Sequence, residues 1–247
     1  MIKFFRKIRQ NLLMENKTGK YFKYAIGEIV LVVIGILIAL SINNWNEEKK
    51  SIKKGREILT DLRENVEYNT IRFQKDIDIT REVINSIDII LKNIKVTKVY
   101  NDSLGKHFRR LTYWETSRWK SSGYKAIISH GVEIIESKKL REDIIDLYEI
   151  IYPEIAEYTR ISEGNNTSLM PKMLEFLERE SSASTEFYEH KSTPFDYQEI
   201  VDSKIFRSIL SFLRSQRVVD IQTRNQAITK NTELIKLIDD ELNPNFY

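Results

Sequence analysis

Eighteen consecutive residues, Ala25 to Ile42 (AIGEIVLVVIGILIALSI), carry one ionisable side chain, Glu28. Wound as a helix at 1.5 Å per residue they reach about 27 Å, close to the ~30 Å hydrocarbon thickness of a bilayer. A chain holding such a run must either insert it into lipid or surround it with a large core. The flanks favour lipid. Residues 1–24 hold seven Lys and Arg against one acid, a net +6, whereas 43–62 hold five against four, a net +1. Counting Lys and Arg, seven before the run against five after, the positive-inside rule places the N-terminus in the cytoplasm. Tyr21, Tyr24 and Trp45 stand where amphipathic rings prefer the headgroup level. A cleaved secretory signal would have a shorter basic region and an apolar stretch of about 7 to 15 residues, so the run reads as a retained anchor.

The first 13 residues, MIKFFRKIRQNLL, set Ile2, Phe5, Ile8 and Leu12 at helical spacing, with Lys3, Arg6, Lys7, Arg9 and Gln10 between them. That is the pattern of a basic helix lying in an anionic leaflet. Three segments follow: a cytoplasmic basic amphipathic segment at 1–24, a transmembrane helix at 25–45, and a helical extracytoplasmic domain at 46–247. The whole chain carries +3, so the part after residue 24 carries −3, and no nucleic-acid partner is expected. With no cysteine there is no disulfide, no thiolate metal site and no cysteine nucleophile.

Only eight glycines and four prolines punctuate a sequence otherwise rich in Lys, Glu, Ile and Leu, which points to an all-α fold. Leu59, Leu62, Val66, Asn69, Phe73, Ile77, Thr80, Ile84, Ile87, Leu91 and Ile94 follow one another in steps of three or four, with Asn69 and Thr80 as polar interruptions. The membrane helix is therefore expected to continue into a stalk of about 50 residues, some 70 Å if unbroken. A matching stripe of Leu210, Leu213, Arg217, Ile221, Ile228, Ile235, Ile238 and Leu242 predicts a second long helix from about Ser203 to Leu242. The two should pack antiparallel, giving an extracytoplasmic helical bundle. Shorter helices are predicted at Leu104–Trp114, Ser117–Ser129, Leu140–Tyr152, Pro153–Ser162 and Ser168–Arg179, with a loop from Glu180 to Tyr197.

MIKFFRKIRQNLL, the span KYFKYAIGEIVLVVIGILIALSINNWNEEKK, the central WKSSGYKAIISHG with LREDIIDLYE, and the closing long helix together resemble a family of single-span membrane proteins common in Bacteroidota that is a domain of unknown function. The resemblance covers the whole chain and is most specific in the membrane segment. It implies a bacterial inner-membrane location and transfers no catalytic residue.

Two groups of residues are candidates for contact. Glu28, Val32, Gly35 and Ala39 share one helical face, and Gly35 with Ala39 forms a small-xxx-small pair that lets a second helix approach. This face is a candidate for self-association or for another membrane protein. The segment from Gly105 to Lys125 is +5 and interleaved with five aromatics, which makes Arg109, Arg110, Arg118 and Lys120 candidate anion- or ligand-facing groups. The competing reading is that these charges are neutralised by the −5 segment Glu133 to Glu157, the aromatics filling the core. His107, His130 and His190 lie far apart in sequence without accompanying ligands, so no metal or other cofactor is expected. With no glycine-rich phosphate loop and no Gly-x-Ser-x-Gly elbow, the chain reads as a non-enzyme. The function expected is a membrane-anchored helical interaction or scaffold protein, with the lipid bilayer itself as one partner. The alternative is a sensor-like accessory subunit that binds a periplasmic ligand and signals through another protein.

Overall fold

The first helix is long because nothing stops it: the first proline of the chain is Pro153. In the computed structural model, which describes residues 18–114, 116, 118–180 and 190–243, α1 runs Thr18–Lys95. The basic segment Met1–Leu13 and the side chains of Tyr21 and Tyr24 lie outside the described residues. The chain divides into two compact units, 1–55 and 56–247.

In the first unit, the large apolar side chains of α1 from Ile26 to Ile42 are exposed. Lys49 Nζ sits 3.7 Å from the ring centre of Trp45, a cation–π contact at the end of the apolar run.

In the second unit α1 supplies the spine of the core. Leu59, Leu62, Val66, Asn69, Phe73, Ile77, Thr80, Ile87 and Ile94 are buried, while Val83 and Ile90 take the fully buried places expected of Ile84 and Leu91. The buried positions keep a seven-residue repeat, 59, 66, 73, 80, 87 and 94 beside 62, 69, 76, 83 and 90; the expected stripe leaves it because it takes Ile77 in place of the charged but buried Asp76. A 3-10 turn at Asp102–Leu104 leads into α2 (Gly105–Arg110), then α3 (Ser122–His130), α4 (Lys138–Asp146), a π turn at Leu147–Ile151, and α5 (Tyr152–Leu174). After these come β1 (Leu177–Arg179), β2 (Ser192–Pro194), α6 (Tyr197–Asp202) and α7 (Lys204–Leu242). Side-chain caps fix three of the helix starts. Ser137 accepts from Leu140 N (3.2 Å), Asp196 from Gln198 N (2.8 Å) and Ser203 from Phe206 N (3.0 Å).

The fold is predominantly helical, with one correction to the all-α expectation. β1 and β2 pair antiparallel, Leu177 opposite Pro194 and Arg179 opposite Ser192. The helix expected to reach Arg179 stops at Leu174 because Leu177 is buried in the core and Phe176 packs edge-on to Phe206 at 5.2 Å, contacts that an extended strand can make. Gly164, Asn165 and Asn166 do not interrupt α5, and Asn166 is itself buried within it. The helix expected over Leu104–Trp114 ends at Arg110, and the one expected from Ser117 begins at Ser122.

The core of this unit has two apolar centres. One gathers Leu62, Val66 and Phe73 of α1 with Tyr148, Tyr152, Ile155, Ala227 and Leu234, and the other Val83, Ile87 and Ile90 with Phe108, Met173, Leu177, Phe206 and Leu210. Contacts between α1 and α7 pair Arg63 with Asp239 at 2.6 Å, Thr80 with Asp220 at 3.4 Å, and Asp88 with Arg214 at 2.7 Å.

Candidate interaction surfaces and a buried polar belt

Between the two apolar centres each of the three long helices places polar residues. On α1 Asp76 and Thr80 lie between Phe73 and Val83; on α5 Ser162 and Asn166 lie between Ile155 and Met173; on α7 Arg217, Asp220, Thr223 and Arg224 lie between Leu213 and Ala227. Asp76 is 0% and Arg224 1% exposed. Arg72 Nε approaches Asp76 Oδ1 at 3.2 Å, Arg224 Nε approaches Asp76 Oδ2 at 3.8 Å, and Arg224 also binds Asp220. Arg217 donates to Ser162 Oγ (3.2 Å) and to the carbonyl of Tyr113 (2.5 Å). Burial pulls the Arg217 guanidinium below its ordinary pKa, with Asp220 acting against that shift. An alternating chain of carboxylates and guanidiniums held this far from water costs several kcal/mol per unpaired ion, so it stands only while each member keeps its partner.

A second polar network explains the central WKSSG segment. Asn69 Oδ1 accepts from Lys120 N (2.7 Å), and Asn69 Nδ2 donates to Lys120 O (3.0 Å) and Tyr152 Oη (3.2 Å). Tyr152 donates in turn to Asn231 Oδ1 (2.9 Å), whose amide donates to Thr70 Oγ1 (3.0 Å). One turn earlier on α1, Asn65 Oδ1 accepts from Gly123 N (3.2 Å) and Ser122 Oγ (2.8 Å), capping α3 from another helix. A Cβ at Gly123 would lie 2.6 Å from the backbone of Leu62, so only glycine lets α3 approach α1 this closely. Around this clamp Tyr124 stacks on Tyr148 at 4.6 Å, and Trp119 and Phe73 pack on Tyr152 at 5.3 and 5.5 Å. Burial raises Tyr148 and Tyr152 well above the ordinary phenol range, and burial with Glu149 pushes Tyr124 up to about 12. The aromatics of this segment therefore pack inward.

The four candidate basic residues do not converge. Arg110, on α2, pairs with Glu82 of α1 at 3.4 Å, and burial lowers the pKa of its neighbour Arg109, with Arg179 adding to the effect. Lys120 places its ammonium 4.1 Å from the Tyr68 ring centre, and Arg118 is exposed. Glu82 and Tyr68 stand fourteen positions apart on one helix, about 20 Å along its axis. The acidic segment draws on bases one turn away, as in Lys138–Glu142, Lys139–Asp143 and Arg160–Glu157. On the apolar stretch of α1, Val32, Gly35 and Ala39 are exposed and Glu28 is half-buried; a Cβ at Gly35 would meet no atom within 4 Å among the described residues. That face has room for a second helix.

His107 Nδ1 sits 3.0 Å from Ser86 Oγ, and burial, with Lys106 and Arg110 nearby, lowers its pKa. His130 Nδ1 lies 2.9 Å from the carbonyl of Ala126. Among the described residues no three of His, Cys, Asp and Glu are placed to hold a metal ion.

The polar belt was the feature least visible to sequence reasoning. Its traces were Arg72 and Asp76 at a spacing of four, and Arg217, Asp220 and Arg224 at three and four, on the sides of helices that otherwise bury apolar residues.

One apolar helix long enough to cross a membrane, joined in sequence to a helical unit with a polar-belted core, defines the class of protein. The chain belongs to the family of unknown function DUF6090, whose model matches residues 28–213. The match begins at Glu28, inside the apolar run, and ends at Leu213, the last apolar core residue of α7 before the belt. No curated protein and no solved structure matches the chain.

Proposed function

We propose that this is a single-pass protein of the bacterial inner membrane, its N-terminus in the cytoplasm and residues 46–247 in the periplasm. There it acts as a non-catalytic helical interaction or scaffold protein. Its partners are the bilayer and, through the Glu28, Val32, Gly35 and Ala39 face, a membrane protein or a second copy. One observation carries the reading: the twelve large apolar side chains from Ile26 to Ile42 are all about half exposed or more. Half-exposed, each withholds about 1 kcal/mol of transfer free energy, or about 12 kcal/mol together. That matches the ~5–15 kcal/mol that holds a whole domain folded, which favours lipid over water around this stretch.

The excess of Lys and Arg before the span supports the orientation. The order of contacts between α1 and α7, with 63, 80 and 88 meeting 239, 220 and 214, supports an antiparallel pair at the centre of a periplasmic bundle. A scaffold role fits a core whose charged groups are spent on one another.

The test combines alkaline carbonate washing of native membranes with protease treatment of spheroplasts. The chain should stay in the pellet, and external protease should remove the C-terminal unit. Release of intact chain by carbonate, or a C-terminal unit digested only after the membrane is breached, refutes the proposal.

A further inference from the structure

Directly after the apolar run α1 changes character: Asn43, Asn44 and Trp45 follow Ile42, and Trp45 is 58% exposed. At 1.5 Å per residue Trp45 stands about 4.5 Å past Ile42, inside the ~5–7 Å that headgroups add on each side of the hydrocarbon. The backbone of Lys49, one turn further on, is about 10 Å past Ile42 and clear of that layer. Its side chain runs back toward the N-terminus, as long helical side chains do, and sets Nζ 3.7 Å from the Trp45 ring centre. The ammonium is thereby held at the depth of the indole, among the headgroups.

The charge on this side is not neutralised by the chain itself. Lys50 turns to Glu47 at 2.9 Å, whereas exposed Lys49 and Lys53 meet no carboxylate at ion-pair distance among the described residues. Trp45, Lys49 and Lys53 follow at a spacing of four and share one side of the helix; Glu48, the other acid of this stretch, stands about 140° round from Lys53. The indole Nε1–H also has no acceptor among the described residues, so it and the Lys49 ammonium offer donors side by side. A phosphodiester oxygen can take both, in charge-assisted hydrogen bonds. A choline or ethanolamine head fits less well, because the ring face that would attract its ammonium already carries one.

We propose that Trp45 and Lys49 form a binding site for the phosphodiester of an anionic phospholipid, one whose head carries no cation of its own. Lys53 adds attraction from the water side, one turn beyond Lys49 and within a Debye length of it. The site rests on the anchoring proposed above, and it is the same whichever end of the span faces the cytoplasm.

The test uses the full chain with Trp114→Phe and Trp119→Phe, which leaves Trp45 as the one indole. It is reconstituted at low salt in vesicles of phosphatidylcholine and phosphatidylglycerol in equal parts, with bromine on the acyl chains of one lipid or of the other. Brominated phosphatidylglycerol should quench Trp45 more strongly than brominated phosphatidylcholine, and Lys49→Gln should reduce that preference about fivefold, the attraction of one lysine near a charged surface. Lys50→Gln, equal in charge but outside the pair, should reduce it less, and Lys49→Arg should keep it. With all tryptophans in place, the phosphatidylglycerol that stays with the chain in mild detergent should likewise fall on Lys49→Gln. Equal quenching by the two lipids, or equal losses from the two glutamine variants, overturns the site and leaves the anchor standing. Quenching by neither lipid refutes the anchor itself. Inorganic phosphate that erases the preference at matched ionic strength assigns the site to the free ion and overturns the lipid.

Discussion

Removing the Asp76 carboxylate is the sharpest test of the polar belt. Asp76 is fully buried, with Arg72 at 3.2 Å and Arg224 at 3.8 Å, and Arg224 is 1% exposed. Asp76→Leu takes one carboxylate from the buried Arg224 guanidinium and leaves it Asp220. Breaking a buried ion pair from one side costs about 3–5 kcal/mol in a poorly polarisable interior, with Asp220 holding the loss toward the lower figure. For a unit of this size a loss of 1 kcal/mol lowers the melting midpoint by about 2–4 °C, so the variant should melt about 6–20 °C below wild type. Adding Arg224→Met removes the stranded charge and fills its volume with apolar atoms. The double variant should recover part of the loss, because the Asp76–Arg224 pair is replaced whole while Asp220 keeps Thr80 and loses Arg224. The assay is urea and thermal unfolding of the full chain in detergent, followed by far-ultraviolet circular dichroism and, for the helical unit, tryptophan fluorescence in a Trp45→Phe background, which leaves Trp114 and Trp119. A single variant within about 1 kcal/mol of wild type, or a double variant as unstable as the sum of the two singles, would falsify the reasoning.

Three further outcomes follow from the geometry. Gly123→Ala puts a methyl group 2.6 Å from the Leu62 backbone and should cost about 1–3 kcal/mol, read as a lower urea midpoint. Asn69→Leu strips Lys120 and Tyr152 of their shared amide partner and should cost about 2–3 kcal/mol; in a Trp45→Phe, Trp114→Phe background, a Trp119 emission unshifted to the red in the folded protein would count against the clamp. His107 is held neutral: its folded pKa lies below the unfolded value of ~6.5, so its contribution is complete above that pH and is lost as pH falls below it toward the lowered pKa. His107→Gln should accordingly flatten the fall in melting temperature between about pH 7 and 5, and an unchanged slope would show that the ring does not titrate on unfolding.

What the sequence made legible was what periodicity can carry. The spine of α1 and the extent of α7, expected from about Ser203 to Leu242 and found at Lys204–Leu242, were readable because apolar spacing is a local signal. On α7 the expected Ile221, Ile228 and Ile235 are only half-buried, while Arg224, Ala227, Asn231 and Leu234 take the interior. Hydrophobicity alone prefers the isoleucines. The choice falls the other way because Asp76 waits opposite Arg224 and Tyr152 opposite Asn231, partners more than seventy residues away that no local pattern announces. The hairpin was hidden for the same reason, since its strands are three residues each and Leu177 finds Pro194 across a long insertion. The candidate basic residues looked like one patch because they are close in sequence, whereas α2 and the Lys120 segment attach to α1 about 20 Å apart.

A charged joint between two oily centres also governs how the C-terminal unit comes apart. Apolar contacts are cooperative only where they touch, and the belt interrupts that continuity midway along α1, α5 and α7. Each half can loosen while its neighbour stays closed, so amide exchange should arrive in two waves, around Tyr152 and around Phe206, with Asp76 and Arg224 marking the seam between the two opening events.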